Sequence, residues 1–148
     1  MECDNMQKYE NYREQMGRLN KALNACFYLE AIFIEYAVME DRLESILVHA
    51  GKWNPKPDTF VSIADKCKKV AKLAENKKDL AHRYFSPELT DSLLQWKEKR
   101  NSLIHAMLKQ TVSAEELRNV AEEGKQIAKT LCSKATSYRR ALKRDEIK

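Results

Sequence analysis

Glycine and proline are scarce, with three of each in 148 residues. So few breakers exclude a fold of many short strands and favour long helices. Also missing is any apolar run of the roughly 18 to 20 residues that crossing a bilayer takes. The first residues, Met1-Glu2-Cys3-Asp4, are acidic and polar, without the basic start and apolar stretch of a signal peptide. The four cysteines, Cys3, Cys26, Cys67 and Cys132, are scattered and form no Cys-x-x-Cys pair. Zinc-ligand and redox spacings are therefore absent. The expectation is reduced thiols in a cytoplasmic helical core, with no metal, no cofactor and no membrane partner. What remains is a chain 43% hydrophobic and 33% charged. That balance belongs to a globular chain able to bury one core of ordinary size, so residues 1–148 read as a single domain. A net charge of +5 and a pI near 9.0 attract polyanions, nucleic acid first among them, without naming one.

The segments between breakers read as an all-α bundle of about five helices. From Asp4 to His49 there is no proline, and Gly17 is the only glycine. Unbroken, that stretch would make a helix about 68 Å long, too long for one compact body. A kink between Gly17 and Asn24 is expected, or an arm over residues 1–25 that projects from the bundle. Gly51 supplies the stop. After the loop Gly51–Asp58, Asp58 can cap a second helix to about Ala74, with Phe60, Ile63, Cys67, Val70 and Leu73 at helical spacing. A shorter helix follows near 77–84. Ser86-Pro87 opens a helix to about Lys109, and the capping box Ser113-Ala-Glu-Glu116 starts a last one reaching Arg140 or beyond.

Two charges stand where these helices call for apolar residues. At about 100° per residue, Leu89, Leu93, Trp96, Leu103 and Met107 share an arc that also holds Arg100. On the 26–49 segment, Leu29, Phe33, Tyr36, Leu43 and Leu47 form a stripe with Glu40 inside it, while Glu35 falls on another face. A lone charge so placed costs several kcal/mol, so it should be paired or open onto a wet cleft. Opposite signs predict that Glu40 faces Arg100, either as a register-fixing salt bridge or as part of a cleft holding the guanidinium for an anion.

The sequence Arg100-Asn101-Ser102-Leu103-Ile104-His105 resembles the signature of the HEPN superfamily. That signature is an Arg, four to six residues and a His, often with Asn directly after the Arg. Asn101 and His105, four apart, share one helix face. Arg100 lies about 140° around from His105 but is long enough to reach back. Together they would give a phosphodiester a guanidinium for its developing charge and an imidazole that moves protons near neutral pH. The resemblance implies a HEPN-like bundle and metal-independent endoribonuclease activity in defence, toxicity or stress response. The RNA 2′-hydroxyl would attack its own phosphate, leaving a 2′,3′-cyclic phosphate and a 5′-hydroxyl. His105 would be the acid/base, Arg100 the stabiliser of the phosphorane, Asn101 an orienting or phosphate-binding residue, and Glu40 their support.

Lys97, Arg139 and Arg140, with Lys66, Lys68, Lys69, Lys72, Lys143 and Arg144, could grip an RNA backbone or simply be solvated faces. His49 and His82 read as surface residues, and Trp53 and Tyr84 as packing ones. The partners implied are RNA, a second copy of the chain, and a protein inhibitor or antitoxin. In one toxin branch a tyrosine two residues after the His is modified by a nucleotidyltransferase, but that position is Met107 here, so that type of antitoxin is not implied. The homodimer also follows from a second apolar row, Ile32, Met39 and Ile46, beside Phe27, Ile34 and Val38, which needs covering by a partner or by the N-terminal arm. Two rival readings use the same residues: a non-catalytic HEPN module binding RNA, a nucleotide or a protein, and an unrelated helical adaptor.

Overall fold

The computed structural model describes residues 5–147. Cys3 and the acidic start Met1–Asp4 lie outside them. Among the described residues the chain is all helical: α1 (Asn5–Asn24), α2 (Tyr28–His49), α3 (Ile63–Glu75), α4 (Ala81–Tyr84), α5 (Pro87–Ala106) and α6 (Ala114–Ile147). None of these is long and apolar enough to cross a membrane.

The expected long N-terminal helix is two helices. The break falls at residues 25–27, just past the expected kink, and it is a complete Schellman turn. Cys26 N–H donates to Leu23 O at 3.2 Å and Phe27 N–H to Ala22 O at 2.8 Å, with Cys26 in the left-handed region at φ 60°. α1 then lies antiparallel along α2 instead of projecting, with Leu19 and Ala22 buried. The same turn ends α2, here on a glycine. Gly51, at φ 70°, donates to Val48 O, and Lys52 donates to Leu47 O.

The starts of α3, α5 and α6 follow side-chain caps. Ser62 Oγ accepts from Asp65 N at 3.1 Å and opens α3. That is four residues later than the expected cap Asp58, which sits in a loop turn at φ 59°. Phe60, placed on the apolar face by periodicity, therefore lies before the helix and is 84% exposed. Ser86 Oγ accepts from Leu89 N to open α5. The Ser113/Glu116 capping box closes both ways, at 3.1 and 3.2 Å.

α2 and α6 share the largest interface, and the small residues Ala121, Gly124, Ala128 and Ala135 at helical spacing let the two approach closely. They run parallel: Glu35 meets Gly124 near one end, and His49 feels Arg139 near the other. α5 runs against both. Phe85, just before it, packs edge-on against Tyr138 at 5.2 Å, and further along Trp96 Nε1 donates to Val120 O at 2.9 Å. Trp96, Tyr138, Phe85, Ile32, Met39, Ile46, Leu93 and Leu131 are all less than 3% exposed, each worth about 1.5–3 kcal/mol of burial.

This packing corrects the reading of α2. The supposed second row, Ile32, Met39 and Ile46, is the core row, and Ile34 and Val38 are buried beside it. That row is covered within the chain and needs no partner. Leu29 and Phe33 of the supposed main stripe are instead 40% and 70% exposed. α2 is apolar on so many sides that periodicity alone could not say which side faces inward.

Candidate functional site

Tyr36 of α2 meets Arg100 of α5, a helix that packs mainly on α6 and α3. The guanidinium carbon lies 4.2 Å from the Tyr36 ring centroid, within cation–π range. Arg100 Nη1 donates to Asn101 Oδ1 at 2.8 Å, and Nε is buried without a hydrogen-bond partner. The guanidinium is therefore oriented from two sides, with no acid neutralising it among the described residues. Asn101 is half-buried. His105, on the last turn of α5, is exposed, and its ring has no protein partner among those residues. The sequence-predicted trio thus lies within two turns of one helix, its arginine held and its histidine free.

Glu40 does not face Arg100. It pairs with Lys66 Nζ at 3.7 Å, and Glu44 joins from the next turn at 3.4 Å. The reason is position along α2: one turn beyond Tyr36, α3 crosses where α5 was expected. Lys66, counted among the RNA-gripping cations, is accordingly only 6% exposed and sits 5.4 Å from the Trp53 ring centroid.

The acid aimed at the core is Glu35, which helical periodicity had set on another face. It is fully buried, and neither carboxylate oxygen has a hydrogen-bond partner among the described residues. A Cβ on Gly124 would overlap Oε1 of Glu35 and come within 2.7 Å of the Trp96 ring, so glycine there makes room for both. Burial, then Glu122, push the Glu35 carboxyl up to about 9, against the pull of Lys125. The signal that could have found it is its place in the row 32-35-39, once that row is known to be the core.

The remaining predicted residues divide. Lys97 is tied to Glu98 at 2.7 Å and, with Lys68, borders a shallow 240 Å³ hollow against α3. Arg139 and Arg140 stand some 19 positions past Val120 on α6, about 28 Å along the helix, so they do not join Arg100 in one site. His49 and His82 are exposed, and His82 Nδ1 lies 2.7 Å from Ala74 O. Trp53 and Tyr84 pack, against Lys66 with Lys69 and against Tyr138 respectively. Cys67 and Cys132 are buried thiols, with burial pushing Cys67 up to about 12, whereas Cys26 is exposed. Among the described residues, no group of three or more His, Cys, Asp or Glu is placed to hold a metal ion.

Exposed apolar side chains collect at the same end as the motif. With α2 and α5 antiparallel and Tyr36 opposite Arg100, moving back along α2 and forward along α5 leads to one end of the bundle. There Phe33 is 70%, Met107 39% and Leu108 100% exposed, with Leu29 and Ile104 beside them. Compared with family models, curated proteins and solved structures, the chain matches none.

Proposed function

We propose that the chain is a HEPN-type endoribonuclease that cleaves RNA without a metal, acting in defence, toxicity or stress response. The observation that carries this reading is Arg100. It is a guanidinium stacked on Tyr36, held by Asn101 and left without an acid partner among the described residues, five residues before an exposed histidine. An arginine kept only for stability would be expected to meet a carboxylate, because breaking or omitting a buried pair is costly. This one is oriented and still able to take an anion.

In the proposed step, Arg100 binds the non-bridging phosphate oxygens. A neutral His105 takes the proton of the 2′-hydroxyl as the 2′-oxygen forms its bond to phosphorus. The bond to the 5′-oxygen breaks, and that oxygen needs a proton from a second group. One chain offers only one motif histidine, so the second is assigned to His105 of another copy. The exposed apolar side chains Phe33, Ile104, Met107 and Leu108, toward the motif's end of the bundle, are surface that such a pairing would cover. The homodimer thus rests on exposed residues near the motif, not on the Ile32 row.

The test is the chemistry of the product ends. Protein treated with EDTA and incubated with RNA should leave 2′,3′-cyclic phosphates and 5′-hydroxyls, read by mass spectrometry. Products with 3′-hydroxyls, or cleavage that needs added Mg²⁺, would reject the reading.

A further inference from the structure

At the end of the bundle away from the motif, a groove of about 1010 Å³ opens between α1, the second half of α2 and the second half of α6. Tyr12 of α1 and Cys132 of α6 both line it. Two acids line it, and both are engaged: Asp41 with Arg42 at 2.6 Å, and Glu44 with Lys66 at 3.4 Å. The lining cations Lys8, Lys129, Arg139, Arg140 and Lys143 have no ion pair among the described residues. Arg139 Nε is buried and lacks a hydrogen-bond partner among those residues. His49 lines the same groove, and partial burial first, then the charges of Arg139, Arg42, Lys143 and Lys8, hold its imidazole below the ordinary value.

A solvated helix face spreads its charges outward, where water screens them. Here unpaired cations of α1 and α6 line the two sides of one groove, an arrangement that raises the local potential and concentrates anions. We propose that this groove binds a small ligand carrying two or more linked phosphate groups, with Arg139, Arg140 and Lys143 on one wall and Lys8 on the other. Arginine suits phosphate through paired N–H donors, and lysine adds a point charge. The volume matches the upper range of small-ligand pockets, about 300–1,000 Å³. An extended nucleic-acid backbone would call for charges in a line along the surface, and these border a single groove. Tyr9, 57% exposed and lining the groove, offers a stacking face for an organic half of the ligand. The site lies apart from Arg100 and does not depend on RNA cleavage.

Isothermal titration calorimetry on the full chain tests it, with sodium tripolyphosphate, ATP and a short single-stranded RNA as probes at one ionic strength. One molecule of tripolyphosphate or ATP should bind per chain. Arg139→Gln/Lys143→Gln should weaken binding by about tenfold or more, while Lys77→Gln, an exposed change outside the groove, leaves it unchanged. Lys8→Gln, an exposed change on the opposite wall, should weaken it too and covers the case in which the double variant fails to fold. The His49 ring should titrate at higher pH once the anion is bound, followed by NMR. ATP binding that exceeds tripolyphosphate binding and falls to its level in Tyr9→Ala identifies a nucleotide, and equal binding identifies inorganic polyphosphate. The proposal is overturned if neither small probe binds below about 1 mM, if only the RNA binds, or if binding survives both sets of substitutions.

Discussion

Glu35 couples the stability of the fold to pH. Its carboxyl ordinarily titrates at 4.5 and in the fold is pushed up to about 9, by burial first. Between those values the folded chain keeps a proton that the unfolded chain has lost. The stability linked to Glu35 is therefore fully present below pH 4.5 and declines as pH rises, by up to about 1.4 kcal/mol per unit, until it levels off above pH 9. Glu35→Gln keeps the shape and cannot ionise. It should flatten this slope and be more stable than the parent by about 2–4 kcal/mol at pH 8, as read by urea denaturation at pH 5 and pH 8. Equal slopes for the two proteins would show that the buried carboxyl is not the source.

Between helices, the turn at residues 25–27 illustrates what the sequence could disclose and what it could not. The starts of α5 and α6 were readable because Ser86-Pro87 and Ser113/Glu116 are side-chain caps whose atoms bond the backbone as the motif requires. The α1–α2 break was not, because its left-handed position holds Cys26 where a glycine would have announced it. A cysteine there costs about 1 kcal/mol or more, which the two Schellman bonds and the packing of α1 on α2 offset. Cys26→Gly should accordingly raise stability by about 0.5–1 kcal/mol, seen as a higher thermal midpoint with unchanged helicity. A lower midpoint would mean that the exposed thiol makes a contact worth more than the strain. The site divides in the same way. Arg100, Asn101 and His105 lie on one helix at a fixed spacing, so their proximity was legible. The Glu40–Arg100 pairing depended on which helix crosses α2 at each turn, and that is tertiary information. Only the packed bundle shows α3 meeting Glu40 and Tyr36 meeting Arg100.

Taken whole, the molecule has two dissimilar ends, one apolar around an arginine–histidine motif and one cationic around His49. In the proposed dimer the apolar ends meet and the cationic grooves point away. Phe33→Glu, at a position 70% exposed in the single chain, should leave the fold intact and drive a micromolar solution from dimer to monomer in sedimentation velocity. RNA cleavage should fall with it. A parent chain that sediments as a monomer while cleaving at full rate would remove the composite site and leave the catalytic residues to be judged alone. They are judged most directly by the initial rate of RNA cleavage in EDTA for the parent chain, Arg100→Ala and His105→Ala, each checked for retained helicity. The account predicts cleavage by the parent and a loss of about 100-fold or more in each variant. Cleavage that persists in both folded variants, or a parent chain that cuts no RNA, would contradict it.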